Sequence, residues 1–402
     1  MPVPALPTSL TLDPDDYVWL GSPGTRAPAK LMAGTDTLSA REAFKHMTQG
    51  YGIVWQGDFN NARQLLQALG RRLAPPRKPG GPATEKATPL LDSPLSSEER
   101  RALFHTHRQH QSQRAALLNR LLLPVLPDGT LPLRRAPDIR EACQAAGLTY
   151  FQTRHRDASD TVTSQPGLLP LRQLHGMIGG LEWQKKGVHV AGLSRPVHVS
   201  HGVFSPVRGE YIELLWKAPL PGLESAADIG TGSGVLAAIL AARGVRHVMA
   251  TDTNPRAIAC ARTNIENLAL SDKIQLLETA FFPPGKFDLL VCNPPWLPAR
   301  PTSLIEQAVY DPDHAMLLGF LDGVADHLTP GGEAWLILSD LAEHLGLREA
   351  DFLTQAFGRA GLDVAGTLTA RPRHGKAVNA DDLLGFARSR ETTTLWRLRR
   401  RS

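Results

Sequence analysis

SAADIGTGSGVLAAILAARGVRHVMATDTNP, residues 225–255, decides the fold. A short apolar run ends in glycines at alternate positions, Gly230, Gly232 and Gly234, and an alanine- and leucine-rich helical stretch follows at once. A second apolar run then ends on Asp252. Strand, tight turn, helix and strand make a parallel βαβ unit. Glycines at the turn let the backbone bend sharply and approach a bulky ligand beside the unpaired N–H groups of a helix start. A dinucleotide fingerprint wants its third glycine at position 235, where this chain has Val235, so the turn departs from the NAD pattern. Asp252, 22 residues after Gly230, is placed to accept hydrogen bonds from a ribose diol. That placement alone does not choose between NAD and another nucleoside.

Outward from this unit the alternation continues. Helix NPRAIACARTNIENLAL (254–270), strands KIQLLE (273–278) and KFDLLVCN (286–293), helix DHAMLLGFLDGVADHL (313–328) and strand EAWLILS (333–339) follow in turn. The fold class is therefore α/β with a doubly wound sheet. DVAGTLTARPR (363–373) and TTTLWRLRR (392–400) are both strand-like with a short helical piece between them, which predicts an antiparallel finish. In VYDPDHAML, Asp311 and His314 read as a simple helix start, with a part in shaping the substrate mouth as the alternative. Upstream, LEWQKKGVHVAG (181–192) reads as a short strand pair.

The fourth strand of the sheet ends in NPPW, Asn293 to Trp296. Two prolines remove two backbone donors and forbid helix, so a buried strand opens here into a loop. In a doubly wound sheet such a position faces the ligand crevice. The Asn293 side-chain carbonyl and the Pro294 carbonyl can each accept a hydrogen bond, and Trp296 offers a flat face for a planar amide or base. The site reads as an amine holder.

Through DIGTGSG, the acid in ATDTNP and FDLLVCNPPW, residues 200–400 resemble the class I S-adenosylmethionine-dependent methyltransferases, in the group whose Asn-Pro-Pro-aromatic motif serves nitrogens conjugated to planar systems. The resemblance implies a seven-stranded methyltransferase sheet of order 3-2-1-4-5-7-6 and S-adenosyl-L-methionine as cofactor. It implies that the glycine loop, with Asp228, Gly230, Thr231, Gly232 and Gly234, holds the methionine moiety, that Asp252 holds the ribose, and that Asn293, Pro294 and Trp296 hold the acceptor. GVFSPVRGEY (202–211) is similar to the loop preceding the core in enzymes that methylate the glutamine of translation release factors, which makes Phe204, Arg208 and Tyr211 candidate lid residues. Two departures stand out. The aspartate usual near the adenine is replaced in LLETAFFP by Ala280, with Glu278 slightly early, and the aromatic is Trp296 rather than Tyr or Phe. The implied function is N-methylation of a protein glutamine amide or an RNA base, with the translation machinery as a partner. Small-molecule N-methylation and a non-catalytic cofactor-binding module are the alternatives.

The first 175 residues read as a mostly helical accessory or substrate-recognition region, preceding a methyltransferase domain over 176–402. It contains the helix-like NARQLLQALGRRL (61–73), a flexible Pro- and Gly-rich segment near 73–95, and a helix opened by the capping pair Ser96 and Glu99. His105, His107 and His110 on that helix lack the company a metal site needs, and no metal is expected. Residues 61–120 carry 11 Lys and Arg against 4 Asp and Glu, and the chain from 371 onward carries 9 against 3. With a net charge of +5, an RNA or acidic protein surface is a suitable contact, though neither is specified. Cys143, Cys260 and Cys292 match no metal or redox spacing and read as packing residues of a reducing compartment. No apolar run approaches the roughly 18 residues a bilayer crossing needs, so the expectation is a cytoplasmic protein with no membrane contact.

Overall fold

The computed structural model describes residues 11–73, 95–148, 165–206, 209–301, 305–372 and 384–401, and these fall into two compact units. One unit lies within residues 1–80 and 108–182, the other within 81–107 and 183–402.

The first unit has the expected helices packed on a six-stranded sheet that the sequence reading did not anticipate. Its strands are β1 (Thr11–Leu12), β2 (Val18–Trp19), β3 (Lys30–Gly34), β4 (Tyr51–Trp55), β5 (Leu121–Val125) and β6 (Gly167–Pro170), in the order β1-β3-β4-β5-β6-β2. Between them run α1 (Ala40–Thr48), α2 (Phe59–Arg72), α3 (Ser97–Leu118) and α4 (Arg140–Ala145), and α5 (Leu171–Lys186) follows β6. Strands β3, β4 and β5 are parallel and fully apolar where central, as in YGIVW and LLLPV. Helix α2 turns Leu65, Leu66 and Leu69 into a core with Ile53, Trp55 and Leu123. Helix α3 begins with the expected capping pair, Ser96 and Glu99 bonding each other's backbone N–H at 3.2 and 2.8 Å. Most of the segment near 73–95 lies outside the described residues.

The expected division at residue 175 also moves. The units part within α5, after Glu182, and within α3, after His107. Residues Leu181 to Lys186 are helical rather than a strand pair, and only Val188 makes a bridge, to Val197. The start of α3 belongs to the second unit: Phe104, 1% exposed, packs with Leu297, Leu341 and Leu345, and the Arg101 guanidinium donates to the Gly346 carbonyl at 2.8 Å.

The second unit contains α6 (Glu210–Lys217), β7 (Ser225–Ile229), α7 (Val235–Ala242), β8 (His247–Asp252), α8 (Pro255–Asn267), β9 (Ile274–Glu278), β10 (Phe287–Cys292), α9 (Ala315–Val324), β11 (Leu328–Ser339), α10 (Leu341–His344), α11 (Phe352–Arg359), β12 (Leu362–Ala370), α12 (Gly385–Arg388) and β13 (Thr393–Arg400). The sheet order is β9-β8-β7-β10-β11-β13-β12, with β13 antiparallel to both neighbours. Counted along this unit alone, that is 3-2-1-4-5-7-6, as the resemblance implies. Side chains alternate across the sheet: Ala226, Val291, Trp335 and Ile337 enter the core shared with α6, α7 and α8, while Ala227, Leu290, Leu336 and Leu338 enter the one shared with α9 and α11. Among the described residues no helix is long and apolar enough to cross a membrane.

A buried ionic knot ties the antiparallel finish to the parallel strands. Glu333 on β11 is fully buried and accepts bonds from Arg397 at 2.7 and 2.8 Å, from Arg399 at 2.7 and 3.0 Å, and from the Trp335 indole at 2.9 Å. Burial pushes its carboxyl up, and these donors together outweigh burial and hold it below the usual range. Removing the acceptor strands the donors, so Glu333→Ala should lower unfolding free energy by about 3 kcal/mol in urea titration. A midpoint equal to wild type would show that the arginines find water instead.

Candidate active site

The turn after β7 is held by a buried acid. Asp228 is fully buried, and its Oδ2 accepts the Thr231 hydroxyl at 2.6 Å and the Ala237 N–H at 3.0 Å. From β8, the Thr251 carbonyl accepts the N–H groups of Gly230 at 2.9 Å and Thr231 at 2.8 Å. Burial drives the Asp228 carboxyl up to about 6, against the two hydrogen bonds, with the nearby Asp252 charge adding to the rise. Gly230 and Gly234 have φ of 73° and 81° and allow close approach: a Cβ would lie 2.3 Å from the Met316 methyl at the first and 3.1 Å from the Ala261 Cβ at the second.

Around this turn a cavity of about 690 Å³ opens at the carboxyl ends of β7, β8 and β10. Among the expected residues, Gly230, Thr231, Gly232, Asp252, Ala280, Phe204 and Tyr211 line it, as do Asn293, Pro294 and Trp296. Asp228 and Gly234 do not: the first braces the loop from behind, and the second sets the approach of α7 to α8. Arg208 lies outside the described residues. Asp252 is already engaged, its Oδ2 accepting the Gly232 N–H at 3.0 Å and its Oδ1 the Asn254 N–H at 2.9 Å. Each carboxylate oxygen keeps a second lone pair directed elsewhere. At the end of β9 the wall is Thr279, Ala280 and Phe281; Glu278 is not part of it.

At the far end of the cavity NPPW folds back on itself. The Trp296 indole N–H donates to Asn293 Oδ1 at 2.9 Å, so the aromatic orients the amide as well as offering a face. One lone pair of Oδ1 remains for a ligand. Beyond it, the Leu297 N–H donates to the Val309 carbonyl at 3.2 Å, and the Leu297 carbonyl accepts the Asp311 N–H at 2.8 Å, which closes the mouth loop. Asp311 starts a helix as its sequence suggests. Its buried carboxylate accepts the Met316 and Leu317 N–H groups at 2.9 and 3.0 Å, capping α9 and bringing Met316 over Gly230. Burial raises the Asp311 carboxyl above its ordinary range. Burial also pushes His314, its ring tilted against Phe352 with centroids 4.5 Å apart, down to about 4. Met316, Leu341 and, behind them, Phe104 carried no motif that would have placed them here.

The family description that matches the chain is "Methyltransferase small domain", over residues 196–364. A release factor glutamine methyltransferase of Cereibacter sphaeroides is 31% identical over 36% of this chain and 56% of its own length. A ribosomal protein L11 methyltransferase of a Chelativorans species is 31% identical over 50% of this chain and 65% of its own length. The chain thus spans roughly half the length of the curated relatives it matches. A ribosomal protein L11 methylase structure from Lactobacillus delbrueckii aligns with a TM-score of 0.32 and 22% identity over 48% of this chain and 76% of that one.

The cavity suits S-adenosylmethionine on its own terms. A Cβ on Gly232 would meet no protein atom within 4 Å, so the loop leaves open space where a ligand chain would lie. Among the described residues, the only charged side chains lining the cavity are the carboxylates Asp252 and Asp311, which suit a cationic sulfonium. The residues that would hold it are Gly230, Thr231 and Gly232 at the loop, Asp252 at the ribose, Ala280 and Phe281 at the base, and Phe204 across the opening.

The brace behind the loop makes stability pH-dependent. A carboxyl raised to about 6 from an ordinary 3.8 keeps its proton in the folded chain where the unfolded chain releases it. Its contribution is therefore full below the unfolded value and falls as pH rises towards 6. Asp228→Asn retains an acceptor oxygen and cannot ionise. From pH 4 to pH 6 wild type should lose on the order of 2–3 kcal/mol relative to this variant in urea titration, and parallel profiles would place the ionisation elsewhere.

Proposed function

We propose that this chain, whose C-terminal unit is a class I S-adenosylmethionine-dependent methyltransferase domain, methylates the side-chain amide nitrogen of a glutamine in a protein of the cytoplasmic translation machinery. The observation that carries this reading is the acceptor end of the cavity. Asn293 stands there with one free lone pair on Oδ1, between proline rings and an indole, and no Lys, Arg or His lines the cavity among the described residues. A nucleobase arrives with phosphates, which the carboxylates Asp252 and Asp311 repel and no lining cation offsets. A neutral primary amide suits these walls better. The similarity to a glutamine methyltransferase of release factors, and to a methyltransferase of a ribosomal protein, agrees with a protein substrate.

The cofactor supplies a methyl carbon made electrophilic by its sulfonium. The chain's own work is alignment, because the reaction needs nitrogen, carbon and sulfur nearly in line. An amide nitrogen is a poor nucleophile, since its lone pair is delocalised. Accepting one substrate N–H at Asn293 Oδ1 turns the nitrogen toward the methyl group. Positive character developing on that N–H as the nitrogen takes up the methyl group and the sulfur departs would strengthen its bond to Oδ1, which is stabilisation realised in the transition state. The proton then leaves to solvent.

Methyl-labelled cofactor, offered with separate fractions of ribosomal RNA, transfer RNA, release factor, ribosomal protein and metabolites, tests the reading by where the label goes. Label on a glutamine side chain supports it, and label on a base or a metabolite overturns it. With the labelled fraction as substrate, Asn293→Ala should slow transfer by roughly 10²-fold while cofactor affinity stays within a few-fold. Unchanged turnover would remove Asn293 from the acceptor role.

A further inference from the structure

Two walls of the cavity come from segments far apart in sequence. The loop before the core supplies Gly202, Val203 and Phe204, and the glycine-rich turn supplies Gly232 and Ser233. Both are fastened to one side chain, that of Asn264 on α8, which is 1% exposed. Its Oδ1 accepts the His198 N–H at 2.8 Å, and its Nδ2 donates to the His198 carbonyl at 2.8 Å and to the Ser233 carbonyl at 2.9 Å. Both amide N–H groups and the amide oxygen are thereby used.

The neighbouring turn of α8 repeats the fastening more weakly. The Cys260 thiol donates to the His198 carbonyl at 3.3 Å and accepts the Ser200 N–H at 3.4 Å. Farther along, Gly234 lets the start of α7 lie against Ala261 of the same helix. Helix α8 is therefore a strut carrying the entry loop on one face and the glycine turn beside it. A carboxamide at position 264 is the only side chain of its size that both donates twice and accepts at this junction: aspartate cannot donate twice, and leucine does neither.

We infer that Asn264 is a positioning residue for the cofactor, holding the entry loop and the glycine turn at the separation the ligand needs. The inference rests on the cofactor assignment above and on none of the acceptor chemistry. A wall already in place spares the ligand the cost of ordering the loop on binding. A bridge lost therefore appears in ligand affinity as well as in stability.

The test is calorimetric titration of the full chain with S-adenosylhomocysteine, well below the melting temperature, for wild type, Asn264→Ala, Asn264→Asp and Glu333→Ala. The last variant loses stability at a knot remote from both walls. Both Asn264 variants should bind about tenfold or more weakly than wild type, with faster hydrogen exchange at the amides of His198 and Ser200 in the free protein. Glu333→Ala should bind as wild type. Should Asn264→Ala fail to fold, Asn264→Ser, which keeps one donor and one acceptor, carries the comparison. Wild-type affinity in the folded Asn264 variants, or equal weakening in Glu333→Ala, overturns the inference and leaves Asn264 a stabilising residue only. A wild-type chain that binds no S-adenosylhomocysteine overturns instead the cofactor reading beneath it.

Discussion

Asp228 is a carboxylate with no cation beside it among the described residues, fully buried at the end of the central strand, and the cavity depends on it. Burying a charge is costly, and here the cost is met by three means: the Thr231 hydroxyl, an N–H from the first turn of α7, and retention of the proton to about pH 6. What the fold gains is geometry. The acid joins turn to helix from behind, the Thr251 carbonyl joins turn to the next strand, and Asp252 takes the remaining Gly232 N–H. At Gly232 the loop then leaves open space on its cavity side. A ligand meets a surface already shaped.

Much of this was legible because the local signals agree. In residues 225–255 a strand pattern, a glycine turn, a helix and an acid all favour one arrangement, and the same agreement recurs up to NPPW. The sheet order followed from the resemblance, because alternation alone leaves strand order open. The N-terminal sheet was not legible for a physical reason. YGIVW and LLLPV are five-residue apolar runs, and a buried parallel strand of that length has no alternation to distinguish it from a buried turn of helix. The long amphipathic stretches around them read as the whole region. Likewise, the chain changes units within α3, where the sequence has no break, because Phe104 finds its partners some 200 residues away.

Site residues divide in the same way. Those with a backbone or loop signature, Gly230, Gly232, Asp252 and Asn293, line the cavity. Asp228 and Gly234 belong to the motif yet face away from the cavity, since a motif records what the loop needs and not only what the ligand touches. Asn264 was invisible. A polar residue in the apolar face of a helix gives no hint of its partners, and its three hydrogen bonds exist only once the entry loop and the glycine turn meet over α8.

Trp296 is where the sequence and the structure give different physics to one residue. Read as a plane, any aromatic would serve, and tyrosine or phenylalanine would differ only in area. Read as a donor to Asn293 Oδ1 at 2.9 Å, it is specific, because phenylalanine has no N–H and the tyrosine hydroxyl sits farther from the backbone. The bond has opposed effects. It takes one of two lone pairs and draws charge from the oxygen proposed to hold the substrate, yet it also fixes which end of the amide faces the cavity. A part-buried asparagine turned by 180° would present donors to a donor. The proposed transfer needs lone-pair direction more than ground-state affinity, and for it a weaker acceptor held in one orientation would serve better than a stronger one free to turn.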